Sequence, residues 1–261
     1  GIVEQSRHHA YQPGDAVIAT GWGMAFDHDG GYADYLCVPA DWLVPMPTGL
    51  EPRTAMIFGT AGFTAALAVH RLLVNDQRPD MGPVLVTGAT GGVGSVAIAI
   101  LKRLGFEVAA VSGKAEMHDW LKELGAGRIL DRDALPGGER PLEKAVWGGA
   151  IDNVGGAMLA RITRTVVPYG NIASIGLAGG AALETTVMPF ILRGIGLLGC
   201  HSVDIPYQLR ADLWRHLATD WAPADLELIL NGCVDLDALP ELFERMLSGR
   251  THGRVLVECG A

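Results

Sequence analysis

The run Val84-Leu85-Val86-Thr87-Gly88-Ala89-Thr90-Gly91-Gly92-Val93-Gly94 sets an apolar stretch directly before a cluster of glycines, and Val96 to Leu101 after it is apolar again. This order predicts a buried strand, a tight turn and the start of a helix. A turn of this kind brings backbone N–H groups close to a ligand, and the helix N-terminus adds partial positive charge, so the pair can cradle a pyrophosphate. Thr90, Gly91, Gly92 and Val93 are the residues expected against the phosphates, with Gly94 admitting close packing of helix on sheet. Glycines in isolation would fit a plain structural turn equally well; the surrounding pattern favours the phosphate reading.

From Pro83 onward, segments of strand and helix character alternate: Val84–Thr87, Val93–Leu104, Val108–Val111, Met117–Leu124, Arg128–Leu130, Ala150–Asn153 and Ile172–Ile175. Such alternation predicts an α/β fold, a doubly wound parallel sheet of Rossmann type covered by helices. Residues 1–50 differ, being rich in Gly and Pro with short β-type runs at Asp15–Ala19 and Tyr32–Val38, which suggests part of a small β-barrel. A helical segment opens at Pro52, and apolar residues recur at helical spacing through Leu73 before a polar loop at Asn75–Met81. The tail predicts helices at Pro206–Thr219 and Ala238–Leu247 and a last strand at Arg254–Glu258.

The strand Glu107–Val111 ends in Ser112-Gly113-Lys114, where an NAD site would ordinarily place an acidic residue for the ribose hydroxyls. A hydroxyl, a glycine and a cation suit a 2′-phosphate instead, with Ser112 donating a hydrogen bond and Lys114 supplying charge. Arg128, on the next strand, is expected to reach the same phosphate. The plainer alternative is that Lys114 and Arg128 are solvated surface charges. The cofactor expected is NADPH.

The formal net charge is -9 and the pI near 5.3, which argues against nucleic acid as a partner, since binding a polyanion rests on clustered Lys and Arg. Four cysteines, Cys37, Cys200, Cys233 and Cys259, form no CxxC pair, and the expectation is buried thiols in a reducing cytoplasm. No apolar run reaches the length a membrane helix requires, so no membrane partner is expected. His8-His9 is adjacent rather than at ligand spacing, Cys37 stands alone, and no metal is expected.

The phosphate turn and Ser112-Gly113-Lys114 occur together with Thr20-Gly21-Trp22-Gly23, Asp41-Trp42-Leu43-Val44, Gly59-Thr60-Ala61-Gly62-Phe63-Thr64-Ala65, Arg140-Pro141-Leu142-Glu143-Lys144, Gly176-Leu177-Ala178-Gly179-Gly180 and Pro189-Phe190-Ile191-Leu192-Arg193. In this combination the chain resembles the acrylyl-CoA reductase family, in the zinc-independent quinone oxidoreductase branch of the medium-chain dehydrogenase/reductase superfamily. The resemblance covers nearly the whole chain. It implies a Rossmann NADPH-binding domain over residues 53–202 and a GroES-like barrel domain over residues 1–52 and 203–261, with further barrel before Gly1. It also implies NADPH-dependent reduction of the C=C bond of an α,β-unsaturated acyl thioester, acrylyl-CoA to propionyl-CoA, without zinc. Two other readings stay open, an NADPH-dependent quinone oxidoreductase and a non-catalytic NADPH-binding protein.

Within that frame Thr64 is expected on the nicotinamide side, or else simply to cap or pack its helix. The strand end at Ser174–Leu177 and the segment Cys200-His201-Ser202 are expected to flank the nicotinamide. Trp22, between two glycines, is a candidate substrate wall or a packing residue, and Asn153-Val154-Gly155-Gly156 approaches the ribose or makes a turn. No general acid stands out. The apolar run Ile191–Gly199 is expected to pair across a two-fold axis as an edge strand, giving a homodimer.

Overall fold

A computed structural model describes residues 1–259. In chain order the elements are β1 (Val17–Ala19), β2 (Leu43–Pro45), α1 (Pro52–Leu73), β3 (Val84–Val86), α2 (Gly92–Arg103), β4 (Val108–Val111), α3 (His118–Leu124), β5 (Arg128–Leu130), β6 (Gly149–Asp152), α4 (Gly156–Thr165), β7 (Asn171–Ser174), α5 (Met188–Arg193), β8 (Gly196–Gly199), α6 (Tyr207–Ala218), β9 (Leu230–Val234), α7 (Leu239–Leu247) and β10 (Arg254–Val257). They fall into two compact units, residues 1–63 with 201–261 and residues 64–200, so that the division lies inside α1.

The second unit holds one six-stranded sheet in the order β5-β4-β3-β6-β7-β8, parallel throughout. Parallel neighbours cannot be joined by hairpins, and helices supply the crossovers. The chain steps outward from β3 to β4 and β5, then returns to β6 and steps the other way, so the order reverses between β3 and β6, beside the glycine-rich turn. In open sheets of this kind ligands bind at the strand carboxyl ends at such a reversal.

β3 and β4 are buried along their whole length, and this is why they read as unbroken apolar runs rather than alternating ones. Leu85, Ala109, Val111, Ala150 and Ile172 pack on one face with Trp147 and with Leu159 and Ile162 of α4. The pleat sends Val84 and Val86 to the other face, and α2, buried from Gly94 to Leu101, lies against β3 and β4.

In the first unit β1 and β2 pair antiparallel, with Ile18 opposite Val44, while β9 and β10 pair in parallel. α1 is broken at Gly59, whose φ of 50° and ψ of -155° are non-helical. The Arg254 side chain enters the break: its Nε donates to the Ile57 carbonyl at 3.0 Å, and a β-carbon on Gly59 would stand 2.8 Å from its Nη2.

Four expectations are corrected. Tyr32–Val38 is not a strand, for its backbone finds no ladder partner among the described residues, and Tyr32 and Tyr35 are exposed. In Ile191–Gly199 only Gly196–Gly199 is strand. Pro189 starts α5, and Gly194, in the left-handed conformation at φ 60°, ends it. Pro52–Leu73 does reach the length and hydropathy of a membrane-crossing helix, although 67% of its apolar window is buried in the protein. Finally, α4 and β9 escaped the pattern reading. α4 is rich in Arg and Thr and starts on two glycines, while β9 carries Gly232 at φ 107° in its middle.

Candidate functional site

The turn after β3 is built by Gly88, at φ 58°, and closed by the Gly91 N–H donating to the Gly88 carbonyl at 3.0 Å. Gly91 is the N-cap of α2 and has no side chain to cap it. Ser95 N–H bonds back to the Gly91 carbonyl, whereas the N–H groups of Gly92, Val93 and Gly94 have no acceptor among the described residues. The first turn of α2 therefore presents unshared donors at the positive end of the helix, which is what a pyrophosphate requires. A β-carbon on Gly94 would lie 2.5 Å from the Gly88 carbonyl oxygen and 2.8 Å from the Ala89 Cα, so only glycine lets α2 sit this close to the turn.

Adjacent turns along the carboxyl edge of the sheet are laced to one another. Ala89 N–H donates to the Val111 carbonyl (3.4 Å) and Ser112 N–H to the Leu130 carbonyl (3.0 Å). Asn153 N–H donates to Thr87 Oγ1 (2.9 Å) and its Nδ2 to the Thr87 carbonyl (2.7 Å). Gly176 N–H reaches the Asp152 carbonyl, Gly179 N–H the Val154 carbonyl and Cys200 N–H the Ser174 carbonyl. At the centre is Asp152, fully buried, accepting from Thr87 Oγ1 (2.7 Å) and from the Gly155 N–H (2.7 Å). Burial pushes its carboxyl above the usual range, and the hydrogen bonds from Thr87, Gly155 and Val154 pull it back. Sequence reading passed over Thr87 and Asp152; their signal was a polar residue closing each of two apolar strands.

Ser112 is buried at the end of β4, and its Oγ accepts the Lys114 N–H at 3.1 Å, which leaves the hydroxyl proton free to be donated. Gly113 and Lys114 stand beside it at the same edge as Thr90, Gly91, Gly92 and Val93. Arg128 does not. It pairs with Ala109 at the start of β5, and its guanidinium lies 5.5 Å above the Trp147 ring, at the amino end of the sheet. The parallel direction of β4 and β5 puts a strand length between Arg128 and Ser112. Leu177 lies on the loop after β7 and is 68% exposed, and Thr64 is buried on the second half of α1.

In the first unit Trp22 and Ser202 are brought together by a residue the sequence reading did not single out. Arg210, buried on α6, donates to the carbonyls of Thr20 (2.8 Å), Val203 (2.6 Å) and Ser202 (3.3 Å). Its guanidinium lies 4.8 Å from the Trp22 ring centre and 4.9 Å from that of Phe63. Trp22 has φ 57°, stacks on Trp42 at 6.2 Å, and donates its indole N–H to the Trp42 carbonyl. Desolvation lowers the Arg210 pKa to about 10, so it remains charged at neutral pH. The signal was available in sequence: Arg210, Leu213, Trp214 and Leu217 share one apolar stripe.

Among the described residues no group of three or more His, Cys, Asp and Glu side chains is placed to hold a metal ion. His8 and His9 stack on each other at 4.4 Å, and the expectation of buried thiols is not met: Cys37 and Cys233 are exposed, and Cys200 and Cys259 are half-buried.

Residues 92–219 match the family described as zinc-binding dehydrogenase. Over the whole chain, the acrylyl-CoA reductase AcuI of Ruegeria pomeroyi is 50% identical across 262 residues, covering 100% of this chain and 79% of its own. This chain belongs to the acrylyl-CoA reductase family. The YhdH oxidoreductase of Salmonella enterica, solved in complex with NADP, superposes with a TM-score of 0.96 at 45% identity, covering 100% of this chain and 80% of that one. The Bacillus subtilis protein YhfP, named a quinone oxidoreductase, is 44% identical over 99% of this chain and 78% of its own length. Its structure, solved with NAD bound, gives a TM-score of 0.96, covering 99% of this chain and 79% of that one.

Proposed function

We propose that this chain reduces the C=C bond of an α,β-unsaturated acyl thioester with NADPH, acrylyl-CoA to propionyl-CoA. The observation that carries the cofactor choice is Ser112-Gly113-Lys114 at the carboxyl end of β4, a hydroxyl and a cation where a carboxylate would repel a 2′-phosphate. The NADP complex of the Salmonella relative supports it, and the Ruegeria relative's name supports the substrate.

Bound NADPH supplies a hydride for the β-carbon of the thioester, with a proton completing the α-carbon. The chain's own residues hold the donor of that hydride. Gly92, Val93 and Gly94 direct N–H groups at the pyrophosphate, Thr90 and Gly91 shape the approach, and Ser112 and Lys114 take the 2′-phosphate. We assign Thr64, Leu177 and Ser202 to the nicotinamide side and Trp22 to the substrate wall, the latter on its fixed, stacked geometry against Trp42 and Arg210. The described residues offer zinc no donor set.

The name of the Bacillus relative favours a second reading, reduction of a quinone by the same cofactor site. Following the near-ultraviolet absorbance of NADPH with acrylyl-CoA, and separately with a simple quinone, decides between them. Turnover confined to the thioester is the expected outcome, and turnover confined to the quinone would replace the substrate while leaving the cofactor site intact. With either acceptor, Lys114→Ala is expected to raise the KM for NADPH about ten- to a hundred-fold, the worth of a charge-assisted hydrogen bond, and to leave the KM for NADH unchanged. Equal losses with both cofactors would remove Lys114 from the 2′-phosphate site.

A homodimer is part of the same proposal. β8 is an edge strand, and beside it α5 exposes Ile191 and Leu192, so a second β8 across a two-fold axis would bury both edge and apolar face. Four free thiols suit a reducing compartment, and the cytoplasm is the compartment we assign.

A further inference from the structure

Asp152 closes β6 with a fully buried side chain that pairs with no Lys, Arg or His among the described residues. Three donors converge on it instead. Oδ1 accepts from Thr87 Oγ1 (2.7 Å) and, at longer range, from the Val154 N–H (3.4 Å), while Oδ2 accepts from the Gly155 N–H (2.7 Å). Thr87 Oγ1 also accepts the Asn153 N–H at 2.9 Å, so its single proton is committed to Asp152.

Each of these bonds fixes a different stretch of the carboxyl edge. Through Val154 and Gly155 the carboxylate folds the chain that leaves β6, and through Thr87 it ties that chain to the end of β3. The Asp152 carbonyl accepts the N–H groups of Ile175 (2.9 Å) and Gly176 (3.3 Å), which open the loop after β7. The folded loop then seats its neighbour. Gly155, at φ 71°, bridges Gly180, and the Gly179 N–H donates to the Val154 carbonyl at 2.7 Å. A β-carbon on Gly155 would stand 2.6 Å from the Gly180 carbonyl oxygen and 3.2 Å from the Leu177 Cα, so the two loops meet backbone to backbone at Leu177. The place of Leu177 thus depends on Gly155, and that of Gly155 on Asp152 Oδ2. The phosphate turn, by contrast, is closed by its own bond from the Gly91 N–H to the Gly88 carbonyl.

We propose that Asp152 is a positioning residue for the nicotinamide: it touches no ligand, and through Gly155 it sets where Leu177 meets the ring. This rests on the NADPH reading above and on the assignment of Leu177 to the nicotinamide side.

The test needs no turnover. Titration with NADPH, followed by the emission of its nicotinamide, is set beside calorimetry with adenosine 2′,5′-bisphosphate, which lacks the ring, for the parent, Asp152→Asn, Thr87→Val and Thr87→Ser. An asparagine keeps the shape but must turn its amide nitrogen toward either the Thr87 hydroxyl or the Gly155 N–H. The parent should bind NADPH more tightly than the bisphosphate and change the emission of the ring. Asp152→Asn and Thr87→Val should lose about ten-fold in NADPH affinity and most of the emission change, while bisphosphate affinity stays within about two-fold of the parent. Thr87→Ser, which keeps the hydroxyl, should recover most of what Thr87→Val loses. Parent-like affinity and emission in both variants would overturn the proposal. Equal losses for NADPH and the bisphosphate would overturn it too, making Asp152 a support for the whole sheet edge. If Asp152→Asn does not fold, Thr87→Val decides by the same criteria. A parent that binds the bisphosphate but gains nothing from the ring would remove the Leu177 assignment and the role of Asp152 with it, and a parent that binds neither ligand would remove the NADPH reading itself.

Discussion

A chain carrying Gly94→Ala is expected to unfold roughly 6–12 °C below the parent and to lose measurable binding of NADPH. The added methyl would stand 2.5 Å from the Gly88 carbonyl oxygen and 3.0 Å from that of Ala89, both backbone atoms with no rotamer to swing aside. Overpacking of this kind costs about 3 kcal/mol at the upper end of its range. Relief can come only by moving α2 off the turn, which carries the N–H groups of Gly92 and Val93 away from the phosphates. Gly31→Ala is the matched control, since nothing lies within 4 Å of the corresponding position. Thermal unfolding and a fluorescence titration with NADPH measure both effects. Parent-like affinity in Gly94→Ala would mean that the turn is not the phosphate cradle.

The second large effect belongs to Arg210→Met. Methionine fills much of the volume but donates nothing, so the carbonyls of Thr20, Ser202 and Val203 lose their shared partner. An unsatisfied buried acceptor costs about 1–3 kcal/mol, and a total near 4 kcal/mol is expected from urea unfolding monitored by tryptophan fluorescence. The backbone around Gly21 is fitted to the guanidinium, for a β-carbon there would lie 3.1 Å from Arg210 Nη2. Arg210→Lys retains the charge but not the fork, and should recover only part of the loss. Turnover should fall further than NADPH binding, because the residues released are Trp22 and Ser202 rather than the phosphate turn. A loss within about 1 kcal/mol would show that the three carbonyls find water instead.

How far the sequence could be read depended on how local the information was. The glycine turn, α2 and β4 were legible because strand, turn and helix are each written in consecutive residues: a branched apolar run, clustered glycines, then a long apolar stretch. Tyr32–Val38 carries the same strand composition, but a strand exists only where another segment pairs with it, and pairing is not written locally. The carboxyl edge beside β4 was only partly legible. Ser112 and Lys114 follow their strand directly, whereas the place of Arg128 turns on which end of β5 meets that edge. Parallel pairing decides that, and it was implied by the alternating pattern: in such a sheet the residue after the strand, not the one opening it, shares an edge with the glycine turn. Asp152 and Arg210 were hidden for another reason. Their roles lie in bonds to backbone groups far off in sequence, Thr20 to Arg210 above all, and no periodicity records those.

The hydrogen bonds that run from turn to turn along the carboxyl edge, from Leu130 and Ser112 through Val111 and Ala89 to Thr87, Asn153, Gly176 and Gly179, bear on kinetics as well as on shape. Loops that order only around a ligand charge their lost conformational freedom against affinity. Here that freedom is given up when the chain folds, because each turn is held by hydrogen bonds to its neighbours. Association with a nucleotide should then be a single fast step, linear in concentration, with no slow isomerisation of the phosphate-binding turns behind it.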